Sequence, residues 1–201
     1  KGVHGYGGLH TLDMDGISRD NEYTLVVEGF SDMSMIQSRC LAEYGRTINC
    51  ISVCGTSGIN NMISLGAIET VVQHTGGNLV IWPDNDPPGI EALHGMCRHL
   101  ADLNIKASIM YPPRYQQGED PADYCRKFSV LDFDTKFVQT MAKCRYSLPE
   151  FYYRYASEQA YQTNIENDAI ACAKLYVDHG IEAKLSPLDL DIYCNYAAHG
   201  K

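Results

Sequence analysis

The sequence predicts an α/β fold with a parallel, doubly wound central sheet, followed by a small all-helical subdomain. Short apolar, β-branched segments alternate with segments of helical periodicity over residues 23–128. This alternation is typical of a parallel sheet with helices on its faces. From about Asp132 only helical patterns remain. We therefore expect a lead-in segment at 1–22, an α/β domain at 23–130 and a helical subdomain at 131–201.

Each predicted strand is a short apolar run that stops at a turn. The four runs are residues 23–27, 48–53, 79–82 and 106–111. Continuous apolar character indicates strands buried on both faces of the sheet. Helices are expected to begin near Ser31, Asn60 and Pro88, and a further one after Gly118. In the tail, a Ser147–Glu150 capping box and Ser186 predict helix starts, and Gly180 predicts a helix end.

The composition argues against several classes of protein. With 16 basic and 25 acidic residues, the formal charge is −9, unlike that of a basic protein that wraps nucleic acid. The eight scattered cysteines include no C-x-x-C pair. This favours reduced cytoplasmic thiols, with a zinc site at Cys50 and Cys54 as the weaker alternative. No apolar run has the length of a membrane span. The chain begins at Lys1 without a methionine, so we expect a fragment.

Acidic residues follow three of the predicted strands. Glu28 comes after the first strand and Asp84 and Asp86 after the third, while Asp120 and Asp123 lie just beyond the fourth. The carboxyl ends of parallel strands share one edge of a sheet, where ligands bind. Carboxylates gathered there repel one another unless a cation lies between them, and oxygen ligands suit Mg²⁺ or Mn²⁺. The sequence therefore predicts a divalent-metal site at this edge.

Simpler interpretations exist for each motif. An aspartate after a strand is often only a turn residue or a helix cap. The Gly55-Thr56-Ser57-Gly58 segment could cradle a phosphate, although such a short motif is weak evidence alone. Trp82 and the aromatic run at 151–155 are explained by core packing, with base stacking as the less favoured role. The joint occurrence of the acids in order is what favours a metal site.

Two motifs together resemble the Toprim domain, which is shared by bacterial-type primases, topoisomerases and certain nucleases. They are Glu28-Gly-x-x-Asp32 and Asp84-x-Asp86-x-x-Gly89, each directly after a predicted strand. Three further segments resemble the DnaG-type primase branch of this family. These are Lys1-Gly2 with Tyr6-Gly7-Gly8-Leu9, then Gly55-Thr56-Ser57, and then Glu119-Asp120-Pro121-Ala122-Asp123. The first has one extra glycine, and the last has Glu119 for a lysine and one inserted residue.

The resemblance implies the catalytic metal-binding core of a DNA primase, using two or more Mg²⁺ or Mn²⁺ ions. Such an enzyme synthesises short primers on single-stranded DNA from nucleoside triphosphates, with a replicative helicase as fused or separate partner. The implied metal ligands are Glu28, Asp84, Asp86 and Asp120, and the first three are the implied catalytic residues. Asp32 and Asp123 are implied as supporting residues or ligands, and Lys1, Gly55 and Thr56 as contacts to nucleotide or template. The proline-rich metal motif resembles primases encoded by phages or plasmids.

Other functions fit parts of the same pattern. A Toprim nuclease would use the same acids to hydrolyse phosphodiesters. A non-catalytic replication module would dock a helicase or template through residues 132–201. A topoisomerase is less favoured, because no separate strand-passage domain is visible in 201 residues. A flavodoxin-like or receiver fold would also place acids at strand ends.

Overall fold

The computed structural model describes residues 23–44, 49–53, 66–75, 78–105, 107–129, 139–140, 142–162, 168–178, 180 and 185–199. The chain divides into two compact units, Lys1–Arg145 and Tyr146–Lys201. Each unit is described by itself below. No helix within the described ranges is long and apolar enough to cross a membrane.

A five-stranded sheet has the order β2-β1-β3-β4-β5. Its strands are β1 (Thr24–Val27), β2 (Cys50–Ser52), β3 (Leu79–Trp82), β4 (Ala107–Met110) and β5 (Arg145–Tyr146). β1 pairs in parallel with β2 and β3, and β3 pairs in parallel with β4. The helices that connect these strands make the sheet the centre of an α/β fold. The predicted fold class is therefore confirmed.

The central strands are buried along their whole length. All four residues of β1 and of β3 are inaccessible to solvent, and Val26 lies in register between Ile51 and Ile81. A strand covered on both faces needs apolar side chains at every position, which is why these runs do not alternate. Their carboxyl ends lie at one edge of the sheet, because the strands are parallel.

Four helices of the first unit lie entirely within the described residues: α1 (Phe30–Tyr44), α2 (Ala67–Thr75), α3 (Pro87–Asp102) and α4 (Pro121–Arg126). α3 begins with two prolines, as predicted, and buries Ile90, Leu93, Met96 and Leu100. The second helix was predicted to begin near Asn60, which lies outside the described residues. The described helix α2 begins at Ala67. Ser31 was predicted as the cap of α1, but it lies inside the helix, which begins at Phe30. The carbonyl of Gly29 instead accepts the first helical hydrogen bond, from the Met33 N–H at 3.3 Å.

The second unit contains α5 (Leu148–Gln162), α6 (Asp168–Asp178) and α7 (Pro187–His199). α5 packs against both α6 and α7. Phe151, Tyr152 and Tyr155 are buried, so the aromatic run is a packing face, as predicted. The Tyr193 hydroxyl donates to the carbonyl of Cys172 at 2.7 Å and links α7 to α6.

Two predicted helix boundaries of this unit are confirmed. Ser186 accepts from the Asp189 N–H at 3.2 Å and donates to its carboxylate at 2.8 Å. Gly180 follows α6 in the left-handed conformation, with φ of 57°. The predicted start of α5 is confirmed as well, since the helix begins at Leu148 and the carbonyl of Ser147 accepts from the Phe151 N–H at 2.8 Å. The Glu150 side chain of the predicted capping box pairs with Arg154 at 3.1 Å. β5 was not predicted, because two residues are too few to show a periodic pattern.

Candidate metal centre

The carboxylates that follow the strands converge around Asp84. Asp84 lies two residues beyond β3, and four other carboxylates raise its pKa electrostatically: Glu28, Asp32, Asp120 and Asp86. Glu28 directly follows β1, and Asp120 directly precedes α4. The fold therefore brings acids from three separate parts of the sequence within electrostatic reach of Asp84.

The negative charge on Asp84 is the least compensated by hydrogen bonds among these acids. Its Oδ1 is buried and has no hydrogen-bond partner in the part of the chain that the structure describes. Burial, followed by repulsion from the neighbouring carboxylates, raises its pKa to about 7. Keeping Asp84 ionised at neutral pH is thus costly unless something positive approaches it. A metal ion would supply that charge.

Hydrogen bonds to the backbone fix the position of Glu28, so that its carboxylate remains available to the site. Its carbonyl accepts from the hydroxyl of the buried Ser52 at 3.0 Å. The Val53 N–H donates to the carbonyl of Val27 at 3.0 Å and extends the pairing of β1 with β2. Burial, and then repulsion by Asp86, raises the pKa of Glu28. Glu28 is therefore a carboxylate that accepts a proton more readily than an exposed glutamate does.

Asp32 connects the starts of two helices. Only 2 % of the residue is exposed. One oxygen accepts from the Gly29 N–H and the other from the Ala122 N–H, both at 3.0 Å. Burial raises its pKa to about 6, and the neighbouring Asp120 adds to the rise, while the two N–H groups oppose it. Since both oxygens are engaged, Asp32 supports the site and is less suited to bind an ion directly.

Two glycines of the motifs are explained by close contacts with these acids. A Cβ at Gly29 would lie 2.4 Å from Oδ2 of Asp32. A Cβ at Gly89 would lie 2.5 Å from the carbonyl oxygen of Asp84. Real Cβ atoms do not approach other atoms so closely, and the second neighbour is backbone that cannot rotate away. The glycines therefore allow the carboxylate-bearing turns to pack against the helix starts.

Asp86 and Asp120 have the same local role. Oδ1 of Asp86 accepts from the Gly89 N–H at 2.7 Å and caps α3. Oδ1 of Asp120 accepts from the Asp123 N–H at 2.6 Å and caps α4. Each cap uses one oxygen of the carboxylate. The turn-and-cap interpretation and the metal-ligand interpretation are thus compatible at these two positions.

Of the remaining predicted site residues, one carboxylate is engaged in an ion pair and three residues lie outside the described ranges. Asp123 forms an ion pair with Arg126, and both side chains are about half exposed. Its carboxylate is thereby already engaged on the surface. Lys1, Gly55 and Thr56 lie outside the described residues. Trp82 is fully buried, in edge contact with Tyr115 and Tyr124, so the base-stacking alternative for it is wrong.

Asn85 and Tyr115 are two residues of the site that the sequence did not reveal. The Asn85 amide donates to the carbonyl of Tyr115 at 2.7 Å, and the Tyr115 hydroxyl donates to the carbonyl of Pro83 at 2.9 Å. An asparagine between two aspartates is an ordinary turn residue, and a tyrosine after Pro-Pro-Arg belongs to no motif. Only the spatial arrangement shows that they connect the acidic loops.

The donor set fits a hard divalent ion held partly by substrate. Among the described residues, no group of three or more His, Cys, Asp or Glu side chains is placed to hold a metal ion by itself. Mg²⁺ is usually bound by one or two carboxylates together with water and substrate phosphates, and not by an all-protein cage. The buried, unpartnered oxygen of Asp84 and the neighbouring carboxylates meet that smaller requirement.

No protein-family model and no curated protein matches the chain. Several solved structures are similar to it, and three of them are primase structures. A DNA primase domain from Pseudomonas aeruginosa is 17% identical with a TM-score of 0.47, over 77% of this chain and 42% of that one. The DnaG catalytic core is 21% identical with a TM-score of 0.45, over 76% and 43%. The Aquifex aeolicus primase, with its zinc-binding and RNA polymerase domains, is 14% identical with a TM-score of 0.42, over 87% and 40%. The chain thus spans about two fifths of the length of each protein.

Proposed function

We propose that the chain is the catalytic metal-binding core of a DNA primase. It would synthesise short primers on single-stranded DNA by divalent-metal-dependent nucleotidyl transfer. One observation supports this above all: carboxylates from separate strand ends converge on Asp84, whose buried Oδ1 has no hydrogen-bond partner in the described part of the chain. The order of the two acidic motifs along the chain favours the primase and nuclease chemistry of the Toprim family over other uses of clustered acids.

In this proposal Asp84, Asp86 and Asp120 hold two or more Mg²⁺ or Mn²⁺ ions. Held by these carboxylates, the ions would supply Lewis-acid chemistry, that is, stabilisation of negative charge on the phosphate and on the attacking and leaving oxygens. Asp32 keeps the turns after β1 and before α4 together through its bonds to Gly29 and Ala122.

Glu28 has the properties of a general base in the same scheme. Its raised pKa brings it nearer to the working pH, where a base is most effective. We propose that its carboxylate takes the proton of the primer 3′-hydroxyl. That oxygen then bonds to the α-phosphorus of the incoming nucleoside triphosphate, and pyrophosphate leaves with the electron pair of the broken bond. The alternative, that Glu28 is a further metal ligand, uses the same position.

Substrate binding would depend on charge supplied by the ions. The chain has a formal charge of −9, and a cluster of carboxylates repels polyphosphates. Lys1, Gly55 and Thr56 are the proposed contacts to triphosphate or template. We further propose that a basic surface elsewhere in a longer protein grips the template, with a replicative helicase as partner.

The decisive experiment is primer synthesis by the full-length parent protein. It is incubated with single-stranded DNA, ribonucleotides and Mg²⁺ or Mn²⁺, and short labelled oligomers are resolved on a gel. Asp84→Asn is expected to abolish synthesis. Asp102→Asn, the same substitution at the exposed end of α3, is expected to leave synthesis unchanged.

Two results would contradict the proposal. Synthesis that survives Asp84→Asn would exclude this metal centre from the reaction. Cleavage of the DNA without synthesis would identify a nuclease that uses the same acids with water as the nucleophile.

A further inference from the structure

Asn85 and Tyr115 tie the loop after β3 to the loop after β4. The Asn85 amide donates to the carbonyl of Tyr115 at 2.7 Å, and the Tyr115 hydroxyl donates back to the carbonyl of Pro83 at 2.9 Å. Both residues are only 1 % exposed. Two buried side chains thus connect the same pair of loops in opposite directions.

Backbone hydrogen bonds strengthen this connection. The Asn85 N–H donates to the carbonyl of Glu119 at 2.9 Å, and the Gly118 N–H donates to the carbonyl of Asn85 at 2.7 Å. Asn85 lies between Asp84 and Asp86, and Glu119 directly precedes Asp120. The bonds therefore join residues adjacent to all three proposed metal ligands.

The chemical character of the two side chains suits their place among acids. Neither carries a charge, so neither adds to the repulsion around Asp84. Burial, and then the nearby Asp84 carboxylate, raises the pKa of the Tyr115 hydroxyl above its ordinary value. The hydroxyl consequently stays protonated and remains a donor. Its ring packs edge-on against Trp82 and Tyr124, at centroid distances of 6.2 and 5.8 Å, which restricts movement of the hydroxyl.

We propose that Asn85 and Tyr115 are positioning residues of the metal centre. They set the separation between the Asp84–Asp86 turn and Asp120, and thereby determine the affinity of the site for a divalent ion. The inference rests on the proposed function, since it assumes that these acids bind metal. Residues that only orient metal ligands often influence metal affinity strongly.

A purely structural role makes a different prediction. Buried hydrogen bonds between loops contribute to folding wherever they occur. If Asn85 and Tyr115 did nothing more, their loss would lower the stability of the protein and leave the metal affinity of the folded protein unchanged. Metal affinity, measured on folded protein, therefore separates the two roles.

The test measures Mn²⁺ binding to the full chain from the electron paramagnetic resonance signal of free Mn²⁺. Tyr115→Phe is expected to weaken binding by about 10-fold. Tyr193→Phe is the matched control, since Tyr193 also donates a buried hydroxyl to a backbone carbonyl, at 2.7 Å, but in the second unit. Its Mn²⁺ affinity is expected to equal that of the unsubstituted chain. Urea titration followed by circular dichroism establishes conditions in which each variant is folded.

A second variant keeps the test decisive if Tyr115→Phe folds poorly. Asn85→Ala removes the other side-chain bond and is expected to weaken Mn²⁺ binding by a similar factor. The double variant, Asn85→Ala with Tyr115→Phe, is expected to bind Mn²⁺ only slightly more weakly than the weaker-binding single variant. Both changes break the same connection between the two loops, so their effects should not add. Folded Tyr115→Phe and Asn85→Ala with unchanged Mn²⁺ affinity would overturn the inference and leave the proposed function standing. A parent chain that binds no Mn²⁺ would overturn both.

Discussion

Asp32 is buried and Asp84 is partly buried, and both have a raised pKa, but their oxygens are used differently. Asp32 accepts a backbone N–H on each oxygen, whereas Oδ1 of Asp84 accepts none from the described residues. The charge on Asp32 is therefore partly compensated by the fold, and the charge on Asp84 is not. Substitutions at the two positions should consequently have opposite effects on stability.

Asp84→Asn is expected to stabilise the metal-free protein at pH 8 and to change little at pH 4. The folded pKa of about 7 lies above the ordinary aspartate value of 3.8, so the folded state binds more protons than the unfolded state between these two pH values. Stability contributed by this group is therefore lost as the pH rises from 4 through 7. Asparagine removes that loss, which solvent screening of the partly exposed Asp84 limits to about 2 kcal/mol at pH 8. Urea unfolding with chelator present at both pH values measures it. A variant less stable than the parent at pH 8 would contradict the assignment.

Asp32→Asn is expected to destabilise the protein by roughly 1–3 kcal/mol at pH 4, and by less at pH 8, where the charge on Asp32, whose pKa is raised to about 6, itself costs stability. Asparagine keeps one acceptor oxygen but places an amide NH₂ opposite the second backbone N–H, either that of Gly29 or that of Ala122. The same urea experiment checks the change. Asp102→Asn serves as control, because Asp102 is exposed at the end of α3 and should be neutral. Stabilisation by Asp32→Asn would show that its two N–H contacts do not compensate its burial.

At the scale of elements, the strands were the most predictable feature. β1, β2, β3 and β4 each lie within a predicted run, because strands of a sheet covered by helices are rich in apolar residues. The two-residue β5 has no such pattern. The helix starts were predicted where a proline or capping serine marks them, as for α3 and α7. At α1 the expected cap, Ser31, lies inside the helix. Gly29 precedes the helix instead, and its N–H donates to Asp32.

Two glycines of α3 provide a prediction about this element. Gly89→Ala is expected to destabilise the protein by roughly 2 kcal/mol or more, because the new Cβ would lie 2.5 Å from the backbone oxygen of Asp84 and overpacking strains the turn. Gly95→Ala is the matched control on the same helix. Nothing lies within 4 Å of its Cβ position, so it should stabilise by about 0.5–1 kcal/mol.

Thermal or urea unfolding of the two variants checks this pair. Equal effects at both positions would mean that helix propensity alone decides the outcome, and that the close approach of α3 to the Asp84 turn is unimportant. Only Gly89→Ala should also weaken Mn²⁺ binding, since it alone displaces a proposed ligand.

At the scale of the whole molecule, metal should stabilise the fold more as the pH rises. Below pH 7 a proton on Asp84, whose pKa is about 7, competes with the ion, so affinity should fall by up to about tenfold per pH unit. The expected result is a larger increase in Tm with Mn²⁺ at pH 8 than at pH 6, reversed by EDTA. The Asp84→Asn variant should show no such increase. An increase that is larger at pH 6 would contradict a role for Asp84 in binding.

The candidate site was predictable as a list of acids but not as a geometry. The order of Glu28, Asp84, Asp86 and Asp120 along the chain follows from strand ends that share one edge, which parallel topology dictates. The bonds of Asn85 and Tyr115 depend on how two loops meet, and no local pattern encodes that. Asp123 is different, since it pairs with Arg126 three residues later on α4, and that spacing could have predicted the ion pair.

The capping bonds of Asp86 and Asp120 have a consequence for how related sequences diverge. A cap aspartate contributes about 1 kcal/mol to its helix, so selection for folding alone would retain both residues in a descendant that had abandoned chemistry. Asp84 caps nothing, and its buried charge opposes folding. In such a lineage it would be among the first of these acids to drift. The residue at position 84 should therefore distinguish active homologues from inactive ones. The presence of Asp86 and Asp120 should not distinguish them.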